Sequence, residues 1–335
     1  MMLRPHLGDM ARHLANQQRT IQIKTDLYRL SDELSSGKKS DLPRALGFSR
    51  ARHAELVSTL SLNSAFSQLG EEVGVRLAAQ QGALAEIGDR GSSLASDIIG
   101  LPLEPSQQDI ARTARSAESD FIDGIAALRT SVAGQFAFSG AQSDHPPLPD
   151  GQTLLADLRA TINMGGSSSQ IISDVRQFFT DTAGRYETAH YTGGAAPAET
   201  LRLGANVTLE PLATALAPEI RDALAGVALA AIANDFSAPR DPRAKDLLQA
   251  ARDDLQNTAG LTAISARIGT AEHRVEEAQT RLSANSSAMQ IELNSMETAD
   301  PFETAVRLQE TQLQLETHFT SLARLSKLSL IYHMP

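Results

Sequence analysis

Ser35 and Lys38 stand three residues apart, the S-x-x-K spacing at which a lysine amine activates a serine hydroxyl for nucleophilic attack. That chemistry works with S-D-N and K-T-G elements, and neither tripeptide occurs in the chain. Gly37-Lys38-Lys39-Ser40 approaches a phosphate-cradling loop, but such a loop needs Ser or Thr directly after its first Lys and Gly where Asp32 stands. Both patterns read as the solvated end of a helix capped by Gly37. The eight histidines include no i, i+4 pair to hold zinc on one helical face, and Asp144-His145 reads as loop. Asn206-Val207-Thr208 and Asn285-Ser286-Ser287 match the glycosylation sequon, but no secretory signal accompanies them, and Asn285 reads as a polar position in a helical seam. Glu71-Glu72 and Asp253-Asp254 fall in helical patterns as solvated faces. With no glycine-rich dinucleotide loop and no G-x-S-x-G elbow, no catalytic, cofactor-binding or metal-binding residues are expected, and the chain reads as a non-enzyme.

The composition agrees. A net charge of -10 argues against a general nucleic-acid binder, which needs a clustered basic surface to neutralise phosphates. Absence of cysteine removes disulfides and thiolate chemistry, so stability falls to packing and association. The longest apolar run, Leu224 to Ala233, is far short of the ~20 residues of a membrane span, so a soluble chain without membrane contact or Sec export is expected.

What remains is a set of long amphipathic helices. From Met10 to Leu34, Ile23, Leu27, Leu30 and Leu34 fall on one stripe. Pro43 and Gly47 mark a connector, and a second helix is predicted from Ser49 to Ile99. Its seam of Val73, Leu77, Gln80, Leu84, Ile87, Gly91, Leu94 and Ile98 alternates steps of four and three, the repeat that keeps one face toward a partner helix. Gln80 and Gly91 are expected to weaken it. Pro102 and Pro105 break the run before a third helix, Ser106 to Ala133, with Ala114, Ala117, Phe121, Ile125, Leu128 and Val132 on one face, an antiparallel return. Near the other end Ile264, Ile268, Ala271, Val275, Ala278, Leu282, Asn285 and Met289 repeat the stepping, continued by Leu293 and Met296. Thr304 to Met334 is again amphipathic through Leu308, Leu315, Phe319 and Leu322, with a face that broadens at Leu325, Leu328, Leu330 and Ile331. None of these helices has enough apolar surface to stand alone in water, so they must bundle.

Between the flanks the texture changes to DHPPLPDG and MGGSSS loops, with short strands predicted at Thr200 to Leu203 and Asn206 to Leu209. The expected fold is mainly α: a long antiparallel coiled coil or helical bundle formed by the N- and C-terminal segments, with a small inserted α+β domain. The expected blocks are 1–48, an N-terminal helix and connector; 49–138, the first part of a helical shaft; 139–244, the insertion; 245–299, the second part of the shaft; and 300–335, a C-terminal helix.

Leu27 to Gly47, LYRLSDELSSGKKSDLPRALG, resembles the N-terminal segment of flagellins and hook-associated proteins, a Leu-rich helix closed by Leu-Ser-Ser-Gly. Asp300 to Met334 is similar to the other half of that family, where an Asp precedes a Gln- and Leu-rich helix. Gly134 to Leu148, GQFAFSGAQSDHPPL, is similar to a Phe-x-Gly-x-x-Thr-x-x-Pro-Pro segment of the members at the hook-filament junction, and Tyr191-Thr192-Gly193 fits their later Tyr-x-Gly turn. Ser40 to Leu46 departs from flagellins in lacking an Asp-Asp-rich connector, and Asp144-His145 replaces the Thr-containing step.

The resemblance implies a structural flagellar subunit outside the cell, exported through the flagellar type III apparatus without a cleaved signal. Its implied partners are hook-associated protein 1, flagellin, copies of itself in a head-to-tail layer, and an export chaperone at the C-terminal helix. It assigns Ile23, Leu27, Leu30, Leu34, Leu308, Leu315, Phe319, Leu322, Leu325, Leu328, Leu330 and Ile331 to an inner assembly layer. Val73, Leu77, Leu84, Ile87, Leu94, Phe121, Leu128, Ile264, Ile268, Val275, Leu282 and Met289 fall to the shaft. The terminal helices are expected to lack partners in the isolated monomer.

Overall fold

A computed structural model describes residues 6–194, 201–204, 207–209, 213–236, 238 and 241–332, with side chains except at 6–9, 201 and 325–332. Helix α1 (His6–Ser36) is followed by a short α2 (Leu42–Leu46) and a 3-10 turn, Gly47–Ser49, where the sequence suggested only a connector. Then come α3 (Arg50–Ile99), α4 (Gln107–Leu128), a hairpin of β1 (Ser131–Val132) and β2 (Gln135–Phe136), α5 (Gly151–Thr161) and α6 (Ser168–Thr180). Strands β3 (Leu201–Arg202) and β4 (Thr208–Leu209) precede α7 (Pro218–Ile232), α8 (Arg243–Gln256), α9 (Ala259–Glu297) and α10 (Pro301–Tyr332). The chain divides into two compact units, 1–62 with 284–335, and 63–283.

The fold is mainly α, as expected. The insertion combines helices with a small sheet. It carries three helices, α5 to α7, and among its described residues the two-residue antiparallel pair β3 and β4 stands at the expected place. The third predicted helix ends five residues early, because Thr130 and Val132 are β-branched and Ala133 and Gly134 take positive φ of 51° and 82°, turning the chain into the β1–β2 hairpin. Val132 is therefore a strand residue and does not extend the helical face.

In the second unit α7 packs against α4, α6 and α8. Its run of Ala, Leu, Gly and Ile is buried on nearly every side, which is what a helix apolar all round requires. Gly226 lets α8 close in, since a Cβ there would sit 3.1 Å from Leu255. Phe121 of α4 meets Phe179 edge-on at 6.1 Å between ring centroids, and Phe179 in turn meets Tyr186 at 5.4 Å. Tyr186 is fully buried, and its hydroxyl donates to the Ala215 carbonyl at 2.9 Å. Helix starts follow their caps: Ser106 and Asp109 form a reciprocal capping box at α4, and the side chains of Asp150 and Ser167 accept the Thr153 and Gln170 amides in the first turns of α5 and α6.

Two seam positions expected to be weak have a use. Gln80 is wholly buried, and its amide donates to the carbonyls of Ala137 at 2.8 Å and Ala213 at 2.7 Å. Arg76, one turn earlier, donates to the carbonyls of Ala137 and Gly140 at 3.4 and 3.3 Å. Together they tie the loop after β2 to α3. At Gly91 the missing side chain leaves room for Leu255.

The segments Gly134 to Leu148 and Tyr191 to Gly193 meet in space. Gly194 N–H donates to Ser139 O at 2.8 Å, Thr192 N–H to Pro147 O at 3.0 Å, and the Ser139 hydroxyl to His145 O at 2.6 Å. A Cβ on Gly193 would lie 2.5 Å from the Tyr191 hydroxyl and 2.7 Å from the Ser139 carbonyl. Gly193→Ala is therefore expected to lower stability by about 1–3 kcal/mol, the usual cost of overpacking, read as a shifted urea midpoint. An unchanged midpoint would show that this junction yields freely.

Candidate assembly surfaces

In the first unit α1 and α10 lie side by side. Ile23 and Leu30 are buried, Leu27, Leu308, Leu315 and Leu322 are half-buried, and Thr20 and His318 meet through Oγ1 and Nε2 at 3.0 Å. These residues, assigned from the sequence to contacts between copies, lie on faces that are covered within the chain. The terminal helices thus have an intramolecular partner. Leu34 and Phe319 remain exposed. In the last turn of α1 the covered place goes to Glu33, whose carboxylate accepts from Arg29 at 3.0 Å and from the Ser40 amide at 3.2 Å. Leu325, Leu328, Leu330 and Ile331 lie outside the residues whose side chains are described.

A second stripe on α1 escaped the sequence reading. Met10, Leu14, Ile21 and Tyr28 recur at steps of four and seven, between 59% and 76% exposed. At about 100° per residue they project roughly opposite Ile23 and Leu30. The same doubling occurs on α10, where exposed Phe302, Val306 and Leu313 stand opposite Leu308, Leu315 and Leu322. Each terminal helix is therefore apolar on two faces, one covered by its partner and one open to water. The signal was present as a second four-and-seven periodicity, hidden because a single stripe suffices to explain an amphipathic helix.

The ends of these helices are closed against each other. Gly37, at φ +70°, caps α1, and its carbonyl accepts from Ala299 N–H at 2.9 Å, while Lys39 N–H donates to Glu297 O at 2.8 Å. Lys39 Nζ reaches the Met296 carbonyl at 2.8 Å, and Arg52 binds Glu292 through both carboxylate oxygens at 2.8 and 2.9 Å. His53 donates to Glu297 at 3.0 Å and Lys38 lies 3.4 Å from its other oxygen. These partners, His53 first, hold the Glu297 carboxyl below the ordinary value of 4.5. Asp300 caps α10, accepting from the amides of Phe302 and Glu303.

The shaft candidates Val73, Leu77, Leu84, Ile87, Leu94, Phe121, Leu128, Ile264, Ile268 and Val275 are all buried in the second unit. Leu282 and Met289 are half-buried, and Asn285 is exposed. From Leu282 the covered face steps to Ser286, Met289, Leu293 and Met296, four residues on instead of three, which carries Asn285 out of the seam. Among the described residues there is no group of three or more His, Asp or Glu placed to hold a metal ion, and no helix long and apolar enough to cross a membrane.

Residues 254–334 match the family model described as the bacterial flagellin C-terminal helical region. The fold resembles a solved structure described as a flagellar hook-associated protein from Vibrio parahaemolyticus, at 14% identity and a TM-score of 0.50, over 74% of this chain and 97% of that one. No curated protein matches the chain. The resemblance of the C-terminal segment, Asp300 to Met334, to the flagellin family is thus borne out.

The closure around Glu297 makes an acid-side prediction. A carboxyl whose folded value is depressed contributes stability that is complete above the unfolded value of 4.5 and is lost as pH falls through the folded one. Melting temperature followed from pH 6 downward is expected to fall less steeply for Glu297→Gln than for the parent chain. Superimposable curves would show that the pairs contribute nothing.

Proposed function

We propose that this chain, a flagellar structural subunit of the flagellin and hook-associated type, is the junction protein called hook-associated protein 3, which joins the hook to the filament. The observation that carries the assembly part of this reading is the doubled apolar face of α1 and α10. One face of each helix is satisfied within the chain; the other, Met10, Leu14, Ile21 and Tyr28 on α1 and Phe302, Val306 and Leu313 on α10, leaves a separate apolar strip in water on either side of the pair. A second face of that kind is what a subunit needs when each copy is to be packed between neighbours. A pair of unlike surfaces on one copy makes heterologous contacts, which propagate instead of closing as a dimer.

The junction part rests on the loop Gly134 to Leu148 and the Tyr191-Thr192-Gly193 turn, which resemble the junction-type members and which pack together here. In this reading hook-associated protein 1 lies on one side of the layer and flagellin on the other, and an export chaperone covers α10 before export through the flagellar type III apparatus without a cleaved signal. The subunit works mechanically, between a curved joint and a stiffer filament, and performs no reaction. The match of residues 254–334 to a flagellin region supports a second reading, flagellin itself, which self-polymerises into long fibres. A helical adaptor with an inserted binding domain is a third; it has no need of apolar surface beyond its own bundle.

Deleting the gene is expected to leave hooks without filaments and flagellin in the medium; normal filaments would defeat the junction reading. Separately, Ile21→Asp and Leu313→Asp alter exposed positions, so monomer stability is expected to stay within about 0.5 kcal/mol while incorporation into flagella is lost. Incorporation at the parental level would detach the outer faces from assembly.

A further inference from the structure

Two features are left over from the terminal helix pair. The first is Phe48, fully exposed in the 3-10 turn Gly47–Ser49. The turn is built to present it. Asp41 caps α2 by accepting from the Arg44 amide at 3.2 Å, Pro43 stiffens its first turn, and Gly47 takes a positive φ of 49° that reverses the chain before α3. Arg44 and Arg50, on either side of Phe48, are exposed and make no ion pair among the described residues. An aromatic ring held in water between two unpaired cations resembles the anchor of an interface.

The second feature is an open groove between α3 and α9, within the second unit, of about 380 Å³. Gly70 lets the helices approach, since a Cβ there would sit 3.2 Å from the Gln279 side chain, and Gly74 lies in ordinary contact range of Val275. The floor is Gly74, Val75 and Val275, and Val75 is exposed. Glu71, Glu272 and Glu276 line the groove, and none of them makes an ion pair among the described residues. Burial of an apolar group on this floor, with cations arriving beside the carboxylates, would satisfy it.

We propose that Phe48, flanked by Arg44 and Arg50, docks into the α3–α9 groove of a neighbouring copy of this chain. The inference rests on the assembly reading above and names one of its contacts. The occupant is a second copy because this chain itself carries the complement: an apolar knob with two free cations, and an apolar floor with three free carboxylates. A chain of net charge -10 repels its own copies at long range, so the approach of like to like depends on local patches of opposite sign, which also set the register. Knob and groove are different surfaces, so each copy offers one of each and the contact repeats from copy to copy. Arginine suits the purpose, because its planar fork pairs with carboxylates through two parallel bonds.

The chain lacks cysteine, so introduced thiols are the only ones present. Two differently tagged full-length copies, one Ser49→Cys and one Gln279→Cys, are expressed together, and isolated flagella are treated with a short thiol-reactive cross-linker. These changes leave the ring and all five charges in place. A cross-linked dimer carrying both tags is expected. Flagella that contain both tags but yield no more dimer than the pair Val57→Cys and Gln279→Cys would overturn the proposal while leaving the assembly reading intact; flagella that contain neither tag would overturn both. In a second arm, Arg44→Glu with Arg50→Glu is expected to lower incorporation by about tenfold, and Glu272→Lys with Glu276→Lys in the same chain to restore it. Failure of the reversal to restore incorporation would also overturn the contact.

Discussion

The inner stripes of α1 and α10 have nowhere to go except onto each other, and the first unit depends on that pairing. Thr20 and His318, joined by a hydrogen bond, are 298 residues apart in sequence. Closing a loop of that length costs conformational entropy, but the cost grows only with the logarithm of length, and the folded second unit occupies most of the intervening chain. Once the helices are side by side, the Gly37–Ala299 and Lys39–Glu297 hydrogen bonds and the ion pairs of Arg52 and Glu297 fall into place at their ends. Each of these is modest alone and partly solvated. Their value is that they set the axial register of two helices whose apolar stripes would tolerate sliding.

Much of this was legible in the residues. Steps of four and three marked Val73 to Leu94 and Ile264 to Val275 as covered faces because burial on a helix follows its period whatever the partner is. Proline and glycine marked the breaks at Pro102 and Pro105 and the cap at Gly37. The departures arise where the partner matters. Periodicity shows that Ile23 and Leu30 need covering but not whether the cover is the same chain or another, and the inner faces proved to be covered from within. Asn285 left the seam because a step of four replaced a step of three, a choice made by the neighbouring helix. In the insertion the short strands are legible at Thr200 to Leu203 and Asn206 to Leu209, whereas α5 and α6 are short and capped by single residues, Asp150 and Ser167, whose signal is weak against so much Ser, Gly and Pro.

The second apolar faces went unseen for another reason. Met10, Leu14, Ile21 and Tyr28 are interleaved with the first stripe, so any average over the helix cancels them. A helix that is apolar on opposite sides looks in sequence like one of low amphipathicity, and only knowing which side is already covered separates the two. The buried amide of Gln80 is similar: in the sequence it interrupts a seam, while in the fold it joins α3 to two loop carbonyls that the seam residues could not satisfy.

The first unit is made from the two extremities of the chain, with nothing from the middle. A copy truncated at either end could still fold its second unit, but it would present a single terminal helix with its inner stripe bare. Such a copy lacks one of the two outer faces on which, in the proposed assembly, a neighbour packs. On the proposed assembly, loss of either terminal helix therefore removes an outer face and bares an inner one in the same step.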